Sequence, residues 1–304
     1  RSNKILRVQP RENNAVNSSW MPDSHRLNFH HIAGEARLTE PMAMVNGEHT
    51  AVAAADAIQR ATEGIKNHQG SEIAIIASGR MTNEELFMVR QLKETLGAAH
   101  CDIVPRNGES DNMLISADRN PNTEGAKKIL GLDTPGASLD SIKKGLKDGD
   151  IKVLIVLQEN LLKAAGFTED DIQHADFVVS SHILANPTAN LSHVVLPGTC
   201  SFEKRGSMIN VTGRIQRLNQ TVQAPESAID DWEMLRDLNT ALGSSNTYFL
   251  IEDLFKSMST DVEPLKDLSL GKIGDQGIQL YETGTEIPLL TRERQRAERG
   301  EIVG

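Results

Sequence analysis

Short runs of consecutive apolar residues alternate along this chain with longer segments in which apolar residues recur every three or four positions. The continuous runs at residues 73–77 and Val153–Leu157 are typical of strands that are buried on both faces. Shorter strands are predicted at residues 102–105, 177–180 and 193–196. Strands of this kind belong to the interior of a largely parallel sheet.

Apolar stripes with helical spacing lie between these runs. Thr82 and Glu85 form a capping box at the start of one helix, and Gly97 is a natural end for it. The same spacing predicts helices at residues 49–66, 139–146, 225–243 and 248–258, and Thr168 with Asp171 predicts a further capped helix start.

The alternation of strands and helices predicts an α/β fold, with a mostly parallel sheet and helices on both faces. Residues 1–45 are expected to be irregular because proline and asparagine interrupt any period. The sequence therefore predicts three parts: residues 1–45, an α/β domain over 46–243, and a C-terminal helix with a charged tail over 244–304, the tail itself at residues 291–300.

Composition excludes several classes of function. The chain has 304 residues and a formal net charge of −10, which argues against nucleic acid as a partner. Its apolar runs fall short of the roughly 18 residues that suggest a membrane span, so no direct membrane insertion is expected. Two cysteines, Cys101 and Cys200, exclude a disulfide framework and favour a reducing compartment. The first residue is Arg1 and no signal peptide follows, so we expect a missing N-terminal portion.

Polar loops after the predicted strands are the first candidate for chemistry, because ligands of parallel sheets bind beyond the carboxyl ends of the strands. These loops are residues 78–80 with Gly79, residues 158–160 with Asn160, and residues 180–182. Simple polar turns are the alternative interpretation, since every such sheet has them.

The glycine-containing segment 203–217 is the second candidate. Arg205, Arg214 and Arg217 are suited to clamping a phosphate or a carboxylate. The alternative is a hairpin whose arginines pair with carboxylates of this acidic chain. The histidines at 25, 30 and 31 lack zinc-like spacing, and no nucleotide-binding or nucleophile-elbow motif is present.

Short motifs also follow one another along residues 4–243. They are Arg11-Glu12-Asn13 with Val16-Asn17 and Trp20-Met21-Pro22-Asp23, Arg37-Leu38-Thr39-Glu40-Pro41-Met42, Asn120-Pro121-Asn122, Leu191-Ser192-His193-Val194-Val195-Leu196-Pro197, the spaced set Glu203, Gly206, Asn210, Gly213, Arg214 and Gln216, and Asp231-Trp232. Together they resemble the large iron–sulfur subunit of respiratory complex I, within the molybdopterin oxidoreductase superfamily. The resemblance implies that the spaced set, with Gly79 and Asn160, marks cofactor-binding positions of the family, here in vestigial form.

Several positions of this sequence depart from the family pattern. Pro22 stands where metal-bearing relatives have a cysteine that completes a 4Fe-4S cluster, and His193 and Thr212 replace acidic residues of the motifs. The interval 97–119 is too short for the family's pterin-binding lobe, and neither cysteine is placed to ligate molybdenum. The resemblance thus implies a remnant of an iron–sulfur lobe over residues 1–45 and no catalytic residue, metal site or cofactor in this segment. Molybdopterin is disfavoured, and 4Fe-4S or 2Fe-2S clusters are expected in an upstream region.

The function implied is that of the C-terminal part of an electron-transfer subunit of an NADH:quinone oxidoreductase, with this domain in a structural role. Its partners would be flavin- and iron–sulfur-bearing hydrophilic subunits, in the cytoplasm and peripheral to the inner membrane. Two alternatives stay open: a cofactor-bearing subunit of a formate dehydrogenase-like molybdopterin enzyme, and a non-enzymatic module that binds a small anion.

Overall fold

A computed structural model describes residues 3–301 and places a seven-stranded sheet at the centre of the molecule. The strands, in chain order, are β1 (Met42–Val45), β2 (Glu48–Ala51), β3 (Ile73–Ser78), β4 (His100–Val104), β5 (Val153–Leu157), β6 (Phe177–His182), β7 (Val194–Pro197), β8 (Gly206–Ile209), β9 (Arg214–Leu218) and β10 (Ile278–Gln279). The order across the large sheet is β2-β1-β7-β6-β5-β3-β4, and β10-β9-β8 form a second sheet of three strands.

Strands β3 to β7 pair in parallel, and β1 and β2 add an antiparallel hairpin at one edge. In the centre, Ile75 of β3 lies opposite Ile155 of β5 on one side and Cys101 of β4 on the other. The predicted mostly parallel sheet is therefore confirmed.

Helices cover both faces of this sheet, as predicted. They are α1 (Asp23–Arg26), α2 (Ala54–Lys66), α3 (Asn83–Leu96), α4 (Thr123–Leu130), α5 (Leu139–Asp148), α6 (Leu161–Ala164), α7 (Glu169–Gln173), α8 (Pro187–Asn190), α9 (Asp231–Ala241), α10 (Ile251–Asp261), α11 (Leu270–Ile273) and α12 (Pro288–Glu298), with 3₁₀ turns at His30–Ala33, Gly70–Glu72 and Glu263–Leu265. Ile73 and Ile75 pack into one apolar cluster with α2, α3, α9 and α10, whereas Ala74 and Ile76 pack into another with α5 and α7. This alternation is the reason that β3 has a continuous apolar sequence.

Strand β2 and the early start of the sheet depart from the sequence prediction. Residues 49–51 belong to β2, not to a helix, and α2 begins at Ala54. Strand β1 lies in the segment expected to be irregular, and it pairs with β7. The cause is the Asn46-Gly47 turn, where both residues have positive φ (53° and 84°), a conformation that favours a tight antiparallel hairpin.

The predicted bounds of other elements also need correction. Helix α9 begins at Asp231 and not near residue 225, and Ile229 packs against the core although it lies before the helix. Helix α10 begins at Ile251 and not at residue 248. Residues 291–298 of the expected tail are helical in α12, which starts at Pro288, a favoured first helical residue. Strand β6 continues to His182, so residues 180–182 are strand and not loop. The three-part domain division stays a prediction.

Within residues 3–301, no helix combines the length and apolarity needed to cross a membrane.

Candidate functional site

The crevice between β3 and β5 is the place where the strand order reverses. From β3 the chain crosses to β4 on one side, and β5 then pairs on the other side. In open α/β sheets, ligands bind at such a switch point beyond the carboxyl ends of the strands. The loops after β3, β4 and β5 therefore define the carboxyl edge of this sheet.

An ion pair lies at this edge. Arg106, after β4, donates from Nη1 to Glu159 Oε1 at 2.7 Å and from Nη2 to the other carboxylate oxygen, and Glu159 follows β5. The Glu159 side chain has no exposed surface. Arg106 Nη1 also donates to Asn120 Oδ1 at 3.1 Å. A bidentate contact of this kind fixes both partners strongly, so the chain's own side chains bridge the loops after β4 and β5.

The segment Asn120-Pro121-Asn122 joins this edge to the second sheet. Asn120 Nδ2 donates to the Val104 carbonyl at 2.9 Å. Asn122 Nδ2 donates to the Met81 carbonyl at 2.8 Å, and Asn122 Oδ1 accepts the Ile209 backbone N–H at 2.7 Å. The motif thus connects the ends of β3 and β4 with β8.

Gly79 is packed closely against the Asn120 side chain. A Cβ atom at Gly79 would come within 2.7 Å of Asn120 Cγ, closer than real contacts allow. Glycine at this position is therefore explained by the approach of the chain's own asparagine. Cofactor contact at Gly79 stays a prediction.

Asn160 has local partners as well. Its Oδ1 caps α6 by accepting the Lys163 backbone N–H at 3.3 Å, and Thr188 Oγ1 lies 3.4 Å away. Just before it, Gln158 has a positive φ of 58°, and its Nε2 donates to Asp231 Oδ1 at 2.6 Å. The loop after β5 is thus held by side chains from α8 and α9.

Glu203 forms a buried ion pair with Arg37. Arg37 Nη2 donates to Glu203 Oε2 at 2.7 Å and to the Gly198 carbonyl at 3.1 Å. The same carboxylate oxygen accepts the Cys200 backbone N–H at 2.9 Å. Both charged side chains are at most 5% exposed. Glu203 therefore anchors the N-terminal segment to the end of β7.

The other positions of the spaced motif build the β8–β9 hairpin. Asn210 Oδ1 accepts the backbone N–H groups of Thr212 and Arg214, each at 3.0 Å, which closes the turn. Gly213 has a φ of 82° and lies against the Tyr281 carbonyl, where a Cβ atom would not fit. Arg214 Nη1 donates to the Gly277 carbonyl at 2.9 Å. Gly206 starts β8.

Arg205 and Arg217 pair with carboxylates of the chain, which agrees with the alternative interpretation of segment 203–217 as a hairpin with internally paired arginines. Arg205 contacts Glu252, and Arg217 Nη2 lies 3.1 Å from Asp275 Oδ1. The candidate residues do not form one cluster: the contacts of Gly79, Asn160 and Arg214 go to three different neighbours, and no bond joins the three.

Lys204 is a buried residue that sequence reasoning missed. Its Nζ donates to Glu85 Oε1 at 2.7 Å and lies 3.8 Å from Asp231 Oδ2, and these side chains are at most 3% exposed. Burial opposes the charge of Lys204, but Glu85 and Asp231 raise its pKa. The sequence signal was weak, because a lysine between Glu203 and Arg205 is typical of an exposed turn.

Several donors near the carboxyl edge have no partner within the described chain. Arg37 Nε and Nη1 and the Ser181 hydroxyl are buried and have no hydrogen-bond partner within residues 3–301. Burial and the charge of Arg106 lower the pKa of Arg80, and the Glu159 carboxylate opposes this shift. Burial lowers the pKa of His182 to about 4, with a contribution from Arg80. Among residues 3–301, no group of three or more His, Cys, Asp or Glu side chains is arranged to hold a metal ion.

A cavity of about 600 Å³ lies elsewhere, between the N-terminal segment and the hairpin. Its lining includes Trp20, Leu114, Val211 and Ile287, together with Gln216, the last position of the spaced motif. Arg80, Arg106 and Glu159 are not part of the lining. Two positions of the spaced motif, Asn210 and Gln216, therefore line this cavity.

Comparisons with known proteins agree with part of the sequence analysis. Residues 119–241 match the family model for molybdopterin oxidoreductases. The α subunit of F420-dependent formate dehydrogenase 2 from Methanococcus maripaludis is 29% identical over 134 residues, which are 42% of this chain and 20% of that protein. The assimilatory nitrate reductase catalytic subunit from Bacillus subtilis is 29% identical over 149 residues, 47% of this chain and 20% of that protein.

A relative of another kind is the NADH-ubiquinone oxidoreductase 75 kDa subunit from Reclinomonas americana, which is 36% identical over 66 residues, 22% of this chain and 10% of that protein. The matched region spans about a fifth of the length of the formate dehydrogenase and nitrate reductase relatives. The family-model match over residues 119–241 contains β5, β6, β7, the β8–β9 hairpin and α9 of this fold. Residues 119–241 of this chain thus match a molybdopterin oxidoreductase family domain.

Proposed function

We propose that residues 46–243 are a structural, non-catalytic domain in an electron-transfer subunit of the complex I type. In this proposal the domain docks against flavin- and iron–sulfur-bearing subunits, and the clusters lie in a region upstream of Arg1. The 75 kDa relative supports the choice of complex. The full protein's activity and its location beside a membrane are part of the same proposal.

One observation supports the structural role: most side chains at the motif positions already form hydrogen bonds or ion pairs within the chain itself. Glu203 is bound by Arg37, Asn210 closes its own turn, and Arg214 donates to backbone carbonyls. A pterin nucleotide is a large anion that needs many free donors. The motif residues therefore do not fit such a group, and we derive no chemistry through it.

The test is isolation of the native protein with its partners, followed by metal analysis and optical spectroscopy. We expect iron and flavin from the complex, and no stoichiometric molybdenum or tungsten. Stoichiometric molybdenum or tungsten with pterin would overturn the proposal in favour of the formate dehydrogenase-like alternative. Isolation without flavin- or iron–sulfur-bearing subunits would contradict the proposed complex.

A second candidate, binding of a small anion, is favoured by the guanidinium groups near the carboxyl edge, since Arg37 Nε and Nη1 have no hydrogen-bond partner. Burial and the charges of Arg37 and Arg80 lower the pKa of His31, so these two guanidinium groups act on the same place. Inorganic phosphate would then raise the melting temperature of the chain. Arg80→Ala would abolish the increase, whereas the exposed control Arg294→Ala would retain it. Equal responses of the two variants would reject this candidate.

A further inference from the structure

A group of carboxyl side chains lies where the start of α3, strand β8 and the start of α9 meet. Glu84 and Glu85 come from the first turn of α3, and Asp230 and Asp231 from the start of α9. Glu84, Glu85 and Asp231 have no exposed surface, while Asp230 is partly exposed. We call these four residues the carboxyl cluster.

Charge within the cluster is not balanced. Lys204 is a cation in direct contact with it, through Glu85 and Asp231. Glu84 instead bonds to Ser207, whose backbone N–H donates to Oε2 at 2.8 Å and whose hydroxyl lies 2.9 Å from Oε1. A buried carboxylate without a cation is costly, and protonation removes that cost.

The position of the Thr199 hydroxyl indicates which carboxyl group of the cluster holds a proton. Its Oγ1 lies 3.1 Å from Asp230 Oδ1 and 3.0 Å from Asp231 Oδ2. A hydroxyl has one proton to donate, so it satisfies one carboxylate at a time. Both contacts are satisfied if protonated Asp230 donates to Thr199 Oγ1 and Thr199 donates to Asp231, which also accepts the Thr199 backbone N–H at 3.0 Å.

The surroundings of the cluster support this distribution of protons. Gln158 Nε2 donates to Asp231 from the β5 side. His182 of β6 also faces Asp231, but its low pKa keeps it uncharged at neutral pH, so it adds no cation. Burial raises the pKa of Glu84 to about 7, and burial together with Glu85 raises that of Asp230 to about 8.

We propose that the carboxyl cluster is a pH-sensitive switch, which holds a proton on Asp230 at neutral pH and a second proton on Glu84 in mildly acidic solution, and loosens the start of α9 when they are lost. On deprotonation, the proton of Asp230 passes to solvent or buffer. Two carboxylates then compete for the single Thr199 hydroxyl, and Asp230, which is partly exposed, turns outward. The Asp230 carbonyl accepts the N–H groups of Glu233 and Met234, so this movement frays the first turn of α9.

The first experiment measures unfolding of the 304-residue chain by urea as a function of pH. Because these pKa values are raised in the folded state, the stabilising effect of the protons is present at low pH and is lost as pH rises. Relative to Asp230→Asn, which mimics the protonated form, the wild-type unfolding constant should rise about tenfold per pH unit between pH 5 and pH 7. The exposed control Asp133→Asn should follow the wild type.

Identical pH profiles for Asp230→Asn and the wild type would overturn the proposal. If Asp230→Asn does not fold, infrared spectroscopy of the wild-type chain decides: a carbonyl stretch of a buried protonated carboxylic acid should be present at pH 6 and absent at pH 9. Absence of that band at pH 6 would also overturn the proposal. Hydrogen exchange should show loss of protection at Glu233 and Met234 over the same range, and unchanged protection there would contradict the loosening of α9.

Discussion

The carboxyl edge of the large sheet and the outer side of the β8–β9 hairpin use the same residue types in different surroundings. At the edge, Arg37 and Glu203 are at most 5% exposed. Beside the hairpin, Arg205, which precedes β8, and Glu252 of α10 are each 50% exposed. An unpaired charge in the interior is costly, whereas an exposed pair is screened by water and salt. Ion pairs of similar geometry should therefore differ greatly in their importance for folding.

Removal of one buried partner should have the largest effect. Glu203→Ala leaves Arg37 buried and without its carboxylate, and we expect a loss of about 3–5 kcal/mol in the free energy of unfolding. Urea denaturation measures this loss. Glu252→Ala in α10, which removes the exposed partner of Arg205, is the matched control, and equal losses for the two variants would remove the distinction between the regions.

Loss of the Asn122 side chain, which connects the carboxyl edge with β8, should have the second largest effect on stability. Asn122→Ala leaves the Met81 carbonyl and the Ile209 N–H without partners in the interior, at a cost of about 1–3 kcal/mol. Thermal and urea unfolding should both show the loss. The exposed Asn246→Ala should be nearly neutral, and an Asn122→Ala variant as stable as the wild type would show that the bridge contributes nothing.

Glu84 should make the stability of the buried region depend on pH. Burial raises the pKa of Glu84 to about 7, so the folded state holds a proton that the unfolded state has lost. The wild type should lose up to ~1.4 kcal/mol per pH unit relative to Glu84→Gln between about pH 5 and pH 7. Parallel pH profiles of the two proteins would refute this assignment, and the exposed Glu226→Gln serves as control.

The exposed pair should have the smallest effect. Arg205→Ala is expected to cost about 0–1 kcal/mol, and added salt should reduce this difference further. Urea unfolding at low and high ionic strength measures both quantities. A cost comparable to that of Glu203→Ala would show that the hairpin pair is more than a surface contact.

Local patterns predicted much of this fold correctly. The apolar runs marked β3 and β5, and the Thr82–Glu85 capping box marked the start of α3 with both of its hydrogen bonds present. The β1–β2 hairpin was missed although Asn46-Gly47 is a strong turn signal, because the apolar spacing that follows gave a helix prediction too early. Helix bounds near 225 and 248 were wrong because apolar residues outside the helices also reach the core.

The sequence by itself determined the five parallel strands β3 to β7, the helix caps and the family motifs, because each depends on residues close together in the chain. Only the tertiary structure decided which charges are partners. Arg37 and Glu203 are separated by 166 positions, and Lys204 and Glu85 by 119. Contacts over such distances depend on strand order and helix packing, and these also determine which carboxyl groups are withdrawn from water and retain their protons.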